Sequence, residues 1–211
     1  MFTITIKAED YNEILRLGKI IDPRKDAYNH REMEFIAIYI DDPLLEAEAL
    51  YCDNFLYGKF VFQVHAVTDT YSEAKPCVFM LPRQASEAAK PGTYVEITWS
   101  GAEEIPRELT NNPGYCTIKG TSKFGSRICP EFGVPVGYWP HRRFESWFEE
   151  EPEKADIVFS GEKLLKFTQF FPKKSTVKPA FRYLGLYGKV SQINNEWYCF
   201  VMGKKKKEGT L

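Results

Sequence analysis

An α+β fold built from repeated β-α-β-β-β units, with antiparallel sheets and helices on one face, follows from three features of this 211-residue sequence. Short runs of alternating polar and apolar residues recur along the chain, each bounded by turn-forming residues. Some of these runs lead directly into stretches with helical spacing of apolar residues. Aromatic residues make up 15% of the chain, a content that suits pleated, half-buried surfaces.

The opening run alternates Phe2, Ile4 and Ile6 with Thr3, Thr5 and Lys7, as a strand with one buried face does. From Asp10 to Ile21 the apolar Tyr11, Ile14, Leu15, Leu17 and Ile21 share one helical face, leaving Glu13, Arg16 and Lys19 for the other. Pro23 disfavours a helical residue before it, so the segment Asp22-Pro23-Arg24-Lys25 ends this helix. Strands are expected over Met33 to Ile40, Glu46 to Asn54 and Gly58 to Val67, with turns around Asp41-Asp42-Pro43 and Leu56-Tyr57-Gly58. A shorter second unit follows: a strand over Lys75 to Pro82, one or two helical turns over Gln84 to Lys90, and strands over Thr93 to Ser100 and Tyr115 to Lys119.

Residues 124–154 differ in composition, being rich in Gly, Pro and aromatic residues and carrying the acidic run Glu149-Glu150-Glu151. They are expected to be a linker packed on the surface, because a solvated tether carries fewer aromatics. A strand over Ala155 to Phe159 then precedes a helix that Ser160 caps. Leu164, Leu165, Phe167, Phe170 and Phe171 are assigned inward on that helix, and Lys163, Lys166 and Gln169 outward. Alternating runs flanking Asn194-Asn195 predict a closing hairpin. The chain thus divides into a two-unit domain over 1–123, the linker over 124–154, and a partial domain of one unit over 155–211. A half-domain leaves a sheet edge and an apolar helix face uncovered. Either another copy completes it or the third unit folds back on the others.

The 28 basic and 29 acidic residues nearly cancel, giving a formal charge of −1, so binding to nucleic acid must rest on local clustering. Such clusters exist. Arg16 and Lys19 lie on the first helix with Arg24 and Lys25 just after it, and Lys163 and Lys166 lie on the second with Lys173 and Lys174 just after it. Equivalent helices with the same polar chemistry build a basic surface that attracts phosphate without reading sequence. Ordinary solvated helix faces are the competing account. Lys204 to Lys207 are expected to be a solvated tail.

Catalytic patterns are missing. The sequence contains no G-x-S-x-G, no G-x-x-x-x-G-K-S/T, no H-E-x-x-H and no G-x-G-x-x-G. His30, His65 and His141 are widely spaced and none has a partner pattern. Cys52, Cys77, Cys116, Cys129 and Cys199 form no C-x-x-C pair and are expected to be free thiols in a reducing cytosol. The alternating N-terminus has no export-signal pattern, and no apolar run approaches the roughly 20 residues a bilayer needs. A cytoplasmic, non-enzymatic protein is expected, with no cofactor, no metal and no membrane partner.

In order and spacing these segments resemble the bacterial DNA sliding clamp, the beta subunit of the replicative polymerase, nearly end to end. The opening strand and helix are similar to those that open the family's domains. Val134-Pro135-Val136-Gly137-Tyr138-Trp139-Pro140-His141 is similar to the family's L-P-x-x-D-F-P junction. Ile157 to Phe171 is similar to the strand and helix that begin the family's second domain, and Phe181-Arg182-Tyr183-Leu184-Gly185-Leu186-Tyr187 to its next strand.

The resemblance implies a ring of two-unit domains around a hole through which duplex DNA slides, with sheets outside and helices inside. On that basis Arg16, Lys19, Arg24, Lys25, Lys163, Lys166, Lys173 and Lys174 would face the DNA backbone through loose, water-mediated contacts. The implied partners are duplex DNA, a DNA polymerase or clamp loader, and further copies of the chain in a homo-oligomer. A twelve-unit ring of three-unit chains needs four copies. The sequence departs from the family in reading Phe200-Val201-Met202-Gly203-Lys204 where V-A-T-D-G is expected, and in carrying about one and a half domains in place of three. The family's peptide cleft between its second and third domains would then be missing or remade. The second reading is a clamp-derived interaction module or adaptor, for instance one of a mobile element, that does not encircle DNA.

Overall fold

The computed structural model of the chain describes residues 2–21, 35–41, 45–53, 55–69, 77–82, 88–100, 114–122, 125–134, 157–182 and 185–205. Strand β1 (Phe2–Lys7) runs straight into helix α1 (Ala8–Ile20). The helix begins ahead of the expected Asp10 because the Ala8 N–H donates to Thr93 O at 2.9 Å, which satisfies a donor that has no partner within the helix. Glu9 and Asp10 in its first turn complement the helix dipole. Strands β2 (Phe35–Asp41), β3 (Glu46–Cys52) and β4 (Leu56–Asp69) then form an antiparallel meander. Next come β5 (Cys77–Pro82), β6 (Tyr94–Ser100), β7 (Gly114–Ser122) and β8 (Gly125–Val134). The last part of the chain holds β9 (Ile157–Val158), α2 (Gly161–Phe170), β10 (Lys178–Arg182), β11 (Gly185–Gln192), β12 (Asn195–Met202) and β13 (Lys204–Lys205). The architecture is α+β, with mostly antiparallel sheet and few helices.

The third unit folds back on the first. β12 pairs antiparallel with β4 from Glu196↔Val61 to Val201↔Leu56, so the meander β2-β3-β4 continues edge to edge into β12-β11-β10. Two β-α-β-β-β units thus meet last strand against last strand, with α1 and α2 in contact. β5 adds to the free side of β2, while β1 joins the far half of β4 to β6, β7 and β8. Of the two expectations for the third unit, completion by another copy or folding back on the others, the β12–β4 pairing is of the second kind. The expected linker over 124–154 also begins later than its composition implies. Gly125–Val134 is a strand paired with β7, and 135–154 lie outside the described residues.

Other differences are local. Of the helical turns expected over Gln84 to Lys90, residues 84–87 lie outside the described residues and 88–90 are not helical. Lys204–Lys205, expected as solvated tail, pair with β9. The closing hairpin turns one residue earlier than expected, through Ile193 and Asn194, and Asn194 takes φ +63, a conformation that Asn tolerates. Ser160 does cap α2, accepting from the Lys163 N–H at 3.2 Å.

Both helices press on one side of the continuous sheet. Ile14, Leu17 and Ile21 from α1 and its end, Phe167, Phe170 and Phe171 from α2 and its end, and Tyr51, Phe60 and Trp197 from the strands belong to one buried cluster. Tyr51 is pinned under both helices, since its hydroxyl donates to Ile14 O at 3.1 Å and its ring meets that of Phe170 edge-on at 5.9 Å. Leu165, assigned inward from its sequence, is 56% exposed because Leu164, Phe167, Phe170 and Phe171 already fill the sheet-facing stripe.

Candidate nucleic-acid interface

The surface formed by α1, α2 and the turn after α2 carries the basic positions that the sequence singles out. Arg16 is central to it. Its Nε and one terminal nitrogen fork onto Glu13 at 2.7 and 2.6 Å, and its terminal nitrogens also donate to the carbonyls of Gln169 at 2.7 Å and Phe170 at 2.8 Å. A cation on the last carbonyls of α2 satisfies acceptors that the helix leaves open and opposes its dipole. Glu13 also accepts from Trp197 Nε1 at 2.8 Å, and Asp10 accepts from Asn195 Nδ2 at 3.0 Å. This network ties α1 to the end of α2 and to β12. Burial pushes the Asp10 carboxyl above its ordinary value, against the lowering effect of Asn195.

Arg16 is thus a strut between helices before it is a phosphate contact. Replacing it with alanine is expected to cost about 1–2 kcal/mol, because the half-exposed ion pair contributes little and the carbonyl contacts contribute most of it. Urea denaturation checks this.

The remaining candidates are placed unequally. Lys166 donates to Asp53 at 3.1 Å and lies 4.0 Å from Glu162. Lys163 sits with its ammonium 3.1 Å from the centre of the Phe55 ring. Lys19, Lys173 and Lys174 are exposed, and no ion-pair partner holds them among the described residues. Lys174 has φ +68 within a turn closed by Ser175, whose N–H and hydroxyl both donate to Pro172 O at 3.2 and 2.7 Å. Arg24 and Lys25 lie outside the described residues.

Carboxylates share this surface. Glu9, which accepts from the Gly92 N–H at 2.7 Å, lies at the start of α1, and Glu162 at the start of α2. The free positive charge therefore collects toward the C-terminal ends of the helices. Elsewhere on the sheet Lys59 pairs with Glu48 at 3.0 Å and Lys189 with Glu196 at 3.1 Å, and both ammoniums also flank the Tyr198 ring. Paired lysines of this kind contribute little net field.

Asp53 is a functional-looking residue that its sequence context does not reveal. It is buried at the turn between β3 and β4, and burial raises its carboxyl above the ordinary value while the Leu56 N–H and Lys166 oppose that shift. His65 is exposed and stacks on Tyr94 at 4.6 Å. Among the described residues no cluster of three or more His, Cys, Asp or Glu is placed to hold a metal ion. No described helix is long and apolar enough to cross a membrane.

No protein-family model matches the chain, and no curated protein matches it in sequence. Solved structures do. The chain superposes on the Helicobacter pylori beta clamp with TM-score 0.63 at 8% identity, covering 97% of this chain and 66% of that one. The Bacillus subtilis DNA polymerase sliding clamp gives 0.56 at 10% identity over 99% of this chain and 66% of that one. PCNA of A. fulgidus, solved with the C-terminal region of FEN-1 bound, gives 0.55 at 8% identity over 99% of this chain and 100% of that one. The fold is that of the sliding clamps. The chain spans about two thirds of the length of the bacterial clamps and the whole length of the A. fulgidus PCNA chain.

Proposed function

We propose that this protein is a sliding-clamp-type processivity factor, with copies assembling into a ring that holds duplex DNA through its backbone and keeps a polymerase on its template. The observation that carries this reading is the extent of the clamp likeness, which takes in 97–99% of the chain. Polymerase or loader contact and a cytoplasmic site of action belong to the same proposal, and the protein's role is topological rather than catalytic. Lys19, Lys173 and Lys174, with Arg24 and Lys25, supply the cations for phosphate. Arg16, Lys163 and Lys166 add positive field while serving internal contacts.

A clamp-derived adaptor that does not encircle DNA is the second reading, favoured by that internal use of basic side chains and by Glu9 and Glu162 on the same helices. Light scattering across a concentration series, combined with duplex binding at several salt concentrations, separates the two. The clamp reading expects a ring-sized oligomer whose log K falls with log salt. It also expects that replacing Lys19, Lys173 and Lys174 with alanine flattens the slope by about 0.9 for each phosphate that is no longer neutralised. A monomer at every concentration, without salt-dependent duplex affinity, would transfer the protein to the adaptor class.

A further inference from the structure

Where α1 and α2 end, a groove of about 650 Å³ opens between them and the turn that follows α2. Its floor is aliphatic, formed by Ile20, Pro172 and Val177 over the buried ring of Phe171. Its rim holds Lys173 and Lys174, and no carboxylate lines it among the described residues. The turn that presents these lysines is not relaxed. Lys174 occupies the left-handed region at φ +68, where a lysine is normally avoided, and the two hydrogen bonds from Ser175 to Pro172 O hold it there.

From this geometry we infer that the groove is a docking site for an acidic peptide segment of a partner protein, with aliphatic side chains seated on Ile20, Pro172 and Val177 and carboxylates on Lys173 and Lys174. The inference goes beyond the DNA-holding reading and does not depend on it. A duplex backbone has charge for the two lysines but nothing to bury on an aliphatic floor. Beyond Arg16 the seam between the helices also runs into a second hollow, where Glu9, Asp10 and Glu13 stand beside Arg16 and Lys173. Peptide and duplex would exclude one another at the shared lysines.

Methyl-labelled protein titrated with the acetylated hexapeptide Asp-Glu-Leu-Leu-Asp-Glu tests the site. The Ile20 and Val177 methyl signals are expected to move with a Kd of about 1 mM or tighter. The combined Lys173→Glu and Lys174→Glu variant, folded as judged by its unchanged remaining methyl spectrum, is expected to bind at least about tenfold more weakly. A control peptide with both leucines replaced by serine should leave the two methyls unmoved. The inference is overturned if millimolar peptide moves neither methyl or if the serine control moves them equally.

Discussion

Valine at position 58 is expected to destabilise the fold by about 3 kcal/mol, with alanine costing about 1–2 kcal/mol at the same site. Gly58 lies in β4 between Tyr51 of β3 and Cys199 of β12, where the two units are joined. A Cβ there would meet the ring of Phe170, with Cζ at 2.6 Å, and Ile21 Cδ1 at 2.8 Å. Both neighbours are fully buried, so neither can swing out to solvent. The helix would have to lift from the sheet, and the Lys166–Asp53 and Arg16–carbonyl contacts would stretch with it. Strand propensity and the lower unfolded-state entropy of a β-branched residue offset the clash by about 1 kcal/mol, which does not reverse its sign. Gly161 gives the control. Nothing lies within 4 Å of a Cβ at that position, so Gly161→Ala is expected to change stability by no more than about 0.5 kcal/mol. Denaturant melts of the three variants decide the matter, and a Gly58→Val protein within about 1 kcal/mol of the parent would contradict the close packing of α2 on β4.

Local signals in the sequence are legible, and the long-range ones are not. The alternation of Phe2 to Lys7, the cap at Ser160 and the hairpin near Asn194 are set by residues within a few positions of one another, and each forms close to where it is expected. The pairing of Gly58 with Cys199 has no such signature, because any alternating strand satisfies the pattern of any other. Gly125–Val134 conceals a strand behind Gly125, Pro130 and Gly133, which lower its propensity without preventing pairing to β7. The basic candidates are legible as cations but not as struts. The partners of Arg16 on α2 are more than 150 positions away, and Lys166 meets Asp53 across 113 positions. Glu13, three residues before Arg16, and Glu162, four before Lys166, announce ion pairs in sequence.

Removing the charge of Lys166 is expected to have the next largest effect and to depend on pH. Asp53 is 1% exposed and accepts from the Leu56 N–H at 2.8 Å, the Phe55 N–H at 3.2 Å and the Lys166 ammonium at 3.1 Å. In Lys166→Met the carboxylate keeps its two backbone donors and loses its only direct counter-charge among the described residues. Breaking a buried pair costs about 3–5 kcal/mol, and partial solvent access to Lys166 reduces the expectation to about 2 kcal/mol at neutral pH. Burial already holds the Asp53 carboxyl above its ordinary value, so the folded state binds this proton more tightly than the unfolded chain. The contribution of such a group is fully present below the unfolded value, near pH 4, and is lost as pH rises through the folded value. Loss of Lys166 raises the folded value further and widens that window. The deficit of the variant relative to the parent should therefore shrink toward zero as the pH falls to about 4. Combining Asp53→Asn with Lys166→Met should recover part of the loss at neutral pH, since asparagine still accepts from both N–H groups and leaves no charge unpaired. Urea melts of the parent, single and double variants at neutral and acidic pH test this. A deficit that stayed constant with pH would mean that Lys166 acts through the packing of its aliphatic stem and not through Asp53.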